Sequence, residues 1–153
     1  MNRITPFLWF DGQAEEAMNL YTSIFKNSSV KSVNRMGPGG PVMSCTFQLD
    51  GQDFYALNAG PQFKFNEAVS FFVNCETQDE VDYYWNKLIA NGGEEGRCGW
   101  LKDKFGLSWQ IIPAALGKLM GDKDQAKAQR VMQAMFTMNK IVIQQLKDAY
   151  DGK

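Results

Sequence analysis

The chain has no histidine in its 153 residues. That absence excludes Ser-His-Asp and Cys-His nucleophilic catalysis, and it removes both the commonest transition-metal ligand and the side chain that titrates near neutrality. Chemistry is left to carboxylates, Tyr, Lys, Cys, amides and hydroxyls. The cysteines are three, Cys45, Cys75 and Cys98. With an odd count and no C-x-x-C pair, neither a disulfide framework nor a structural zinc site is expected, and the thiols read as buried and reduced. Cys98 stands beside Gly99 and Trp100, with no sequence neighbour that would lower its pKa. Asp53, Glu67, Glu76 and Asp103 fall near strand ends, where a carboxylate of raised pKa could serve as a general base; turn or surface positions are the expected reading.

Charge and hydropathy narrow the classes further. Lys and Arg number 16 against 17 Asp and Glu, with no basic run, so the electrostatic footprint of a nucleic-acid binder is missing. No apolar stretch approaches the roughly 20 residues that span a bilayer, and Met1-Asn2-Arg3-Ile4-Thr5-Pro6 lacks a signal-peptide pattern. A cytoplasmic protein with no membrane partner is expected. The length and the 44% hydrophobic content suit one domain, taken as residues 1–150.

The elements that must position any site come as a repeat. Ile4 to Phe10 is an apolar, aromatic run closed by Asp11-Gly12, and reads as a buried strand. In QAEEAMNLYTSIFKN the apolar residues Ala14, Ala17, Met18, Tyr21, Ile24 and Phe25 recur at spacings of three and four, with Glu15 and Glu16 in the first turn, so a helix follows. SVKSVNRM, VMSCTFQL and QDFYALN then read as antiparallel strands, divided by the turn at Gly37-Pro38-Gly39-Gly40-Pro41 and the hairpin signal Asp50-Gly51. The second half repeats this order. AVSFFVNC is a strand and TQDEVDYYWNKLIAN an amphipathic helix stopped by Gly92-Gly93. Shorter strands follow around Glu95–Cys98, Trp100–Lys102 and Ser108–Ile112. The expected fold class is therefore α+β, two βαβββ modules over residues 4–60 and 66–113, forming a curled mixed sheet.

Beyond Pro113 a helical extension over 114–150 is expected. It begins with a short helix, and from about Asp124 one apolar stripe runs through Val131, Met135, Met138, Ile141, Val142 and Leu146 to Ala149. A Met-bearing stripe of this kind reads as core or dimer contact.

Two βαβββ units in tandem are the architecture of the vicinal oxygen chelate superfamily, which includes glyoxalase I, extradiol dioxygenases and bleomycin-resistance proteins. The stretches Pro6–Phe25, Leu49–Trp85 and Gly92–Pro113, above all CGWLKDKFGLSWQIIP, resemble the PhnB-like branch, whose members are often labelled 3-demethylubiquinone-9 3-methyltransferase. The resemblance runs from about Ile4 to Leu146. It implies a glyoxalase/bleomycin-resistance/dioxygenase-like fold and a homodimer.

The wider superfamily holds a metal in the cup of the sheet, where open coordination positions bind vicinal oxygens. Carried onto this chain, the ligand positions fall on Thr5, on Tyr55 with Asn58 as an alternative at the rim, on Ala68 or Ser70, and on Gln110. None is His or a carboxylate, so no metal and no cofactor are expected. Period-two alternation sends Thr5, Phe7, Trp9, Tyr55, Ser70, Phe72, Ser108 and Gln110 to the inner face. Such an aromatic pocket with neutral hydrogen-bonding groups suits a planar or conjugated small-molecule ligand; the structural alternative is that Phe7, Trp9 and Phe72 only fill the core. Two functions follow. One is a small-molecule-binding protein; the other is an enzyme on a quinoid or other small substrate, by methyl transfer or by a glyoxalase-like isomerase or lyase step. A methyltransferase of the common kind needs a Gly-rich turn from strand to helix, whereas Met36–Pro41 suits a turn between two strands, so the methyltransferase label reads as a misnomer.

Overall fold

Strand β1 (Phe7–Phe10) starts three residues later than the apolar run that carries it. Pro6 has no N–H to give to a ladder, and only its carbonyl is used, accepting from Tyr55 N at 2.9 Å. The computed structural model describes residues 2–153; Met1, which opened the N-terminal reading, lies outside them. The chain divides into two compact units, one up to Lys64 and one over Phe65–Lys153.

In the first unit β1 is followed by α1 (Ala14–Ile24), β2 (Ser29–Arg35), β3 (Val42–Leu49) and β4 (Gln52–Asn58). The sheet order is β1-β4-β3-β2, with β1 parallel to β4 and the other pairs antiparallel. The apolar spacing of α1 buries Ala14, Ala17, Met18, Tyr21 and Ile24 against one face of this sheet. Leu8, Cys45, Phe47, Phe54 and Ala56 alternate onto the same side and are buried. Phe47 and Phe54, register partners, stack at 5.5 Å.

The second unit repeats the order with β5 (Ser70–Cys75), α2 (Gln78–Ile89), β6 (Glu94–Glu95), β7 (Trp100–Lys102) and β8 (Ser108–Pro113). Its sheet runs β5-β8-β7-β6, again with the first pair parallel. Helix α2 starts at Thr77, whose hydroxyl accepts from Glu80 N, and packs Val81, Trp85 and Leu88 against β7 and β8. The two βαβββ modules are thus those expected. Strand β6 is shorter than the expected Glu95–Cys98, because Cys98 and Gly99 both take positive φ, 59° and 86°, and turn the chain before β7.

The extension holds α3 (Ala114–Met120), α4 (Gln125–Phe136) and α5 (Ile143–Asp151). The single stripe from Asp124 to Ala149 is therefore divided between two helices. The reason lies in the second module: Cys98 N and Gly99 N donate to the carbonyls of Met138 and Asn139, and Gln78 brackets the same segment, donating to Ile141 O and accepting from Ile143 N. Backbone groups used outward at 138–143 cannot also serve an unbroken helix. Met138, Ile141 and Leu146 join Leu116, Val131 and, from β8, Ile112 in the core under the extension.

Candidate functional site

Each sheet has one face turned away from its helix, and register places Phe7, Trp9, Tyr55, Ser70, Phe72, Ser108 and Gln110 on these faces. In the first unit Phe7 pairs with Tyr55 and Trp9 with Leu57, while Tyr55 faces Thr46 and Leu57 faces Ser44. Register partners share a face, so β1 and β4 give this face an aromatic half. Phe7 and Tyr55 meet edge to face at 5.6 Å, and Trp9 meets Phe63 at 4.8 Å. Phe7 is 59% exposed, Tyr55 42% and Phe63 64%. Aromatic rings this open are not core filling.

The other half of the face is polar. Ser32 and Thr46 share a hydrogen bond of 2.7 Å, and Asn34 Nδ2 donates to Ser44 Oγ at 3.0 Å. Lys31 and Gln48 both reach Asp53, at 3.1 Å each. The lysine contact holds the Asp53 carboxyl below its ordinary value, the opposite of what a general base near neutrality requires. Trp9 is oriented by a hydrogen bond of 2.9 Å from Nε1 to Gly60 O. Phe63 and the β2–β3 polar pairs were not singled out from the sequence. Phe63 lies in a loop with no periodicity, whereas the alternation in β3 carried the signal for Ser44 and Thr46.

Thr5 lies just before β1, half-buried. Asn58 belongs to the opposite side: it pairs with Phe10, its Oδ1 accepts from Ala14 N at 2.9 Å and its Nδ2 donates to Val42 O at 3.0 Å. Its parity along β4 is that of Phe54 and Ala56, so the amide caps α1, whose own N-cap residue Gln13 makes no side-chain capping bond.

In the second unit Ser70, Ser108 and Lys102 form one cross-strand row and Phe72, Gln110 and Trp100 the next. Gln110 Nε2 donates to Ser70 Oγ at 2.9 Å, and Phe72 is 53% exposed. Ile112, two residues beyond Gln110 on the same face, is buried in the core of the extension. Lys102 forms an ion pair with Glu67, which lowers the Glu67 pKa and raises that of Lys102. Asp103 is a turn residue, as expected, and a buried one: its carboxylate accepts from Phe105 N, Leu107 N and Trp109 Nε1. Burial pushes the thiols of Cys45 and Cys75 up to about 11 and about 12.

Two implied groups can be tested against these residues. For a catalytic metal, the donors at the implied positions are neutral, and two of them, Gln110 and Ser70, are bonded to each other; the set does not fit a divalent ion. Among the described residues no three His, Cys, Asp or Glu side chains cluster as metal ligands. For a nucleotide-like methyl donor, the Gly/Pro stretch connects antiparallel β2 and β3, and the first N–H of α1 is taken by Asn58. That arrangement does not fit a strand-to-helix cofactor turn.

Residues 2–112 match the family described as 3-demethylubiquinone-9 3-methyltransferase. The solved PhnB protein from Bacillus cereus is 40% identical with a TM-score of 0.68, over 74% of this chain and 100% of that one. A glyoxalase-related enzyme from Fulvimarina pelagi (14% identity, TM-score 0.51, 75% and 91% of the two chains) shares the fold. So does a genomically encoded fosfomycin resistance protein from Listeria monocytogenes (13%, 0.53, 74% and 93%). No curated protein matches the chain. With the match running from residue 2 to the penultimate residue of β8, the chain belongs to the 3-demethylubiquinone-9 3-methyltransferase family, as a PhnB-like protein of glyoxalase/bleomycin-resistance fold.

Proposed function

We propose that this protein binds a small planar or conjugated organic molecule on the open sheet faces of its modules, without a metal or an organic cofactor. The observation that carries the reading is the exposed aromatic cluster of Phe7, Trp9, Tyr55 and Phe63 beside a row of neutral hydroxyl and amide groups. Small-molecule sites combine apolar area with a few oriented polar groups in this way. The corresponding face of the second module offers Phe72, Ser70 and Gln110; Thr5 lies beside β1. Asp53 and Glu67, the carboxylates on or beside these faces, are held ionised by lysines, which supports binding rather than proton abstraction. The homodimer remains part of the proposal on the family resemblance, since Met138 of the stripe is used inside the core under the extension. A cytoplasmic location is supported by three cysteines left as free thiols. No helix among the described residues is long and apolar enough to cross a membrane.

Titration of the 15N-labelled protein with 2-naphthol tests the reading. Saturable shifts are expected at the Trp9 indole N–H and the Tyr55 amide, and separately at the Phe72 amide, with the probe recovered unchanged. Phe7→Ala should weaken the effect at Trp9. Shifts that do not saturate, or that leave both faces untouched, would overturn it.

A further inference from the structure

The second module contains a cavity of about 370 Å³ at the β6 and β7 side of its sheet, lined among others by Glu67, Glu94, Arg97, Trp100, Lys102 and Ser108. The volume lies within the roughly 300–1,000 Å³ of small-molecule pockets. Ser108 is wholly buried, yet its Oγ has no hydrogen-bond partner among the described residues. A buried hydroxyl left unpaired carries a desolvation cost that no bond offsets. Such a group calls for an explanation, and a role in holding a ligand is one. By register Ser108 stands opposite Lys102, and Lys102 opposite Glu94, which puts the hydroxyl in the row that ends at the Glu94 carboxylate.

What the cavity lacks can be read from what its charged groups already hold. Lys102 is paired with Glu67. The carboxylate of Glu95, also in the wall, accepts from Trp85 Nε1 at 3.0 Å and from Asn139 at 3.5 Å, and Arg97 reaches Phe136 O at 3.5 Å. The Glu94 carboxylate makes no hydrogen bond or ion pair among the described residues, although its charge reaches Lys102, its partner across the ladder, and helps raise the pKa of that lysine. The groups left to a ligand are thus one exposed carboxylate, facing Lys102 across the ladder, and one buried hydroxyl, both able to accept, with Trp100 also in the wall. Carboxylates in the wall outnumber cations, Glu67, Glu94 and Glu95 against Arg97 and Lys102. An anion would meet this excess unfavourably. A protonated amine would satisfy both acceptors and gain from the indole face.

We propose that this cavity binds a primary ammonium group borne on a small apolar body, with Glu94 and Ser108 accepting its protons and Trp100 covering the adjoining carbons. The proposal rests on the small-molecule reading above and adds the charge of the ligand. The helical extension takes part, since Asn139 and the carbonyl of Phe136 hold Glu95 and Arg97 in the wall.

The full chain would be titrated near neutral pH with 2-phenylethylamine, 3-phenylpropionate and 2-phenylethanol, reading amide shifts at Trp100, Lys102 and Ser108. The amine is expected to saturate, the carboxylate to leave these signals unmoved, and the alcohol to bind more weakly than the amine. Glu94→Gln should weaken the amine about tenfold, the size of a lost charge-assisted contact, and Ser108→Ala severalfold. Glu94 is exposed, so its variant should keep the wild-type spectrum. Equal binding of the carboxylate, an unchanged amine affinity in Glu94→Gln, or no saturation by the amine, as for a cavity holding only water, would overturn the assignment. If 2-naphthol still saturates at Trp9 while the amine fails, the ammonium site alone falls; if both fail, the small-molecule reading falls with it.

Discussion

Gln110 donates from Nε2 to Oγ of Ser70 across 2.9 Å, a diagonal contact between parallel strands whose register pairs Ser70 with Ser108 and Phe72 with Gln110. The bond leaves Ser70 with its own proton to give and Gln110 with a free carbonyl oxygen, so a donor and an acceptor stand side by side on the open face. Both residues are half-buried, and water can replace the contact when it is lost.

Gln110→Ala is therefore expected to lower the affinity for 2-naphthol, followed at the Phe72 amide, by about tenfold. Urea denaturation of the unliganded variant should show a loss below about 1 kcal/mol. The reverse pattern, unchanged affinity with a large loss of stability, would reduce Gln110 to a scaffold residue.

The thiols should separate by reactivity. Cys45 and Cys75 are buried, and burial holds their pKa values at about 11 and about 12, so almost no thiolate forms at neutral pH. Cys98 is half-buried in its turn. With iodoacetamide at about pH 8, mass spectrometry of the native protein should find one alkylated cysteine, Cys98, and three after unfolding in guanidinium. Native labelling of Cys45 or Cys75 at the rate of Cys98 would contradict the packing described.

Much of this was legible in the sequence because it depends on period and punctuation. Phe7, Trp9 and Tyr55 fall on one face by alternation alone, and Asp11-Gly12, Asp50-Gly51 and Gly92-Gly93 mark where elements stop. The residues that escaped owe their roles to distant partners. Asn58 looks like a strand-end amide until α1 is seen to lack a cap of its own, and the break in the extension follows from Cys98, Gly99 and Gln78 claiming its backbone. The cavity wall at Glu94 to Arg97 depends on the same long-range contacts.

The response to pH follows from three carboxylates held low by lysines: Asp53 by Lys31, Glu67 by Lys102 and Asp82 by Lys140. A carboxyl depressed in the folded state contributes stability that is present above its unfolded pKa and lost as pH falls through the folded value. The Lys102 pKa is raised by Glu67, so its contribution is present below the ordinary lysine value and is lost as pH rises through the folded one. The buried Cys45 and Cys75 thiols, also raised, lose their contribution as pH climbs above the ordinary thiol value, so the plateau should run from about pH 5 to about pH 8.5, with melting temperature falling on both sides. All the lysine–carboxylate pairs are solvent-exposed, so the acid-side fall should shrink in about 1 M NaCl. A fall between pH 6 and 8 would mean that some other group dominates.

Asp103 and Asp53 offer a contrast between a carboxylate that builds the fold and one that lies on the candidate site. Asp103 is 2% exposed, and its carboxylate accepts from the backbone N–H groups of Phe105 and Leu107, at 2.9 and 3.1 Å, and from Trp109 Nε1 at 2.9 Å. Around it the turn closes further through Asp103 N to Leu107 O and Gly106 N to Asp103 O, both 2.9 Å. Asp103→Ala would orphan Leu107 N and the buried indole N–H of Trp109, and leave the β7–β8 turn without its centre. A loss of at least about 3 kcal/mol in urea denaturation is expected, as for other broken buried networks. Asp53 meets its lysine at the surface, where such pairs contribute little, so Asp53→Ala should leave the urea midpoint close to that of the wild type. Equal effects of the two substitutions would show that the Asp103 turn is not what holds β8, and with it Ser108 and Gln110, in place.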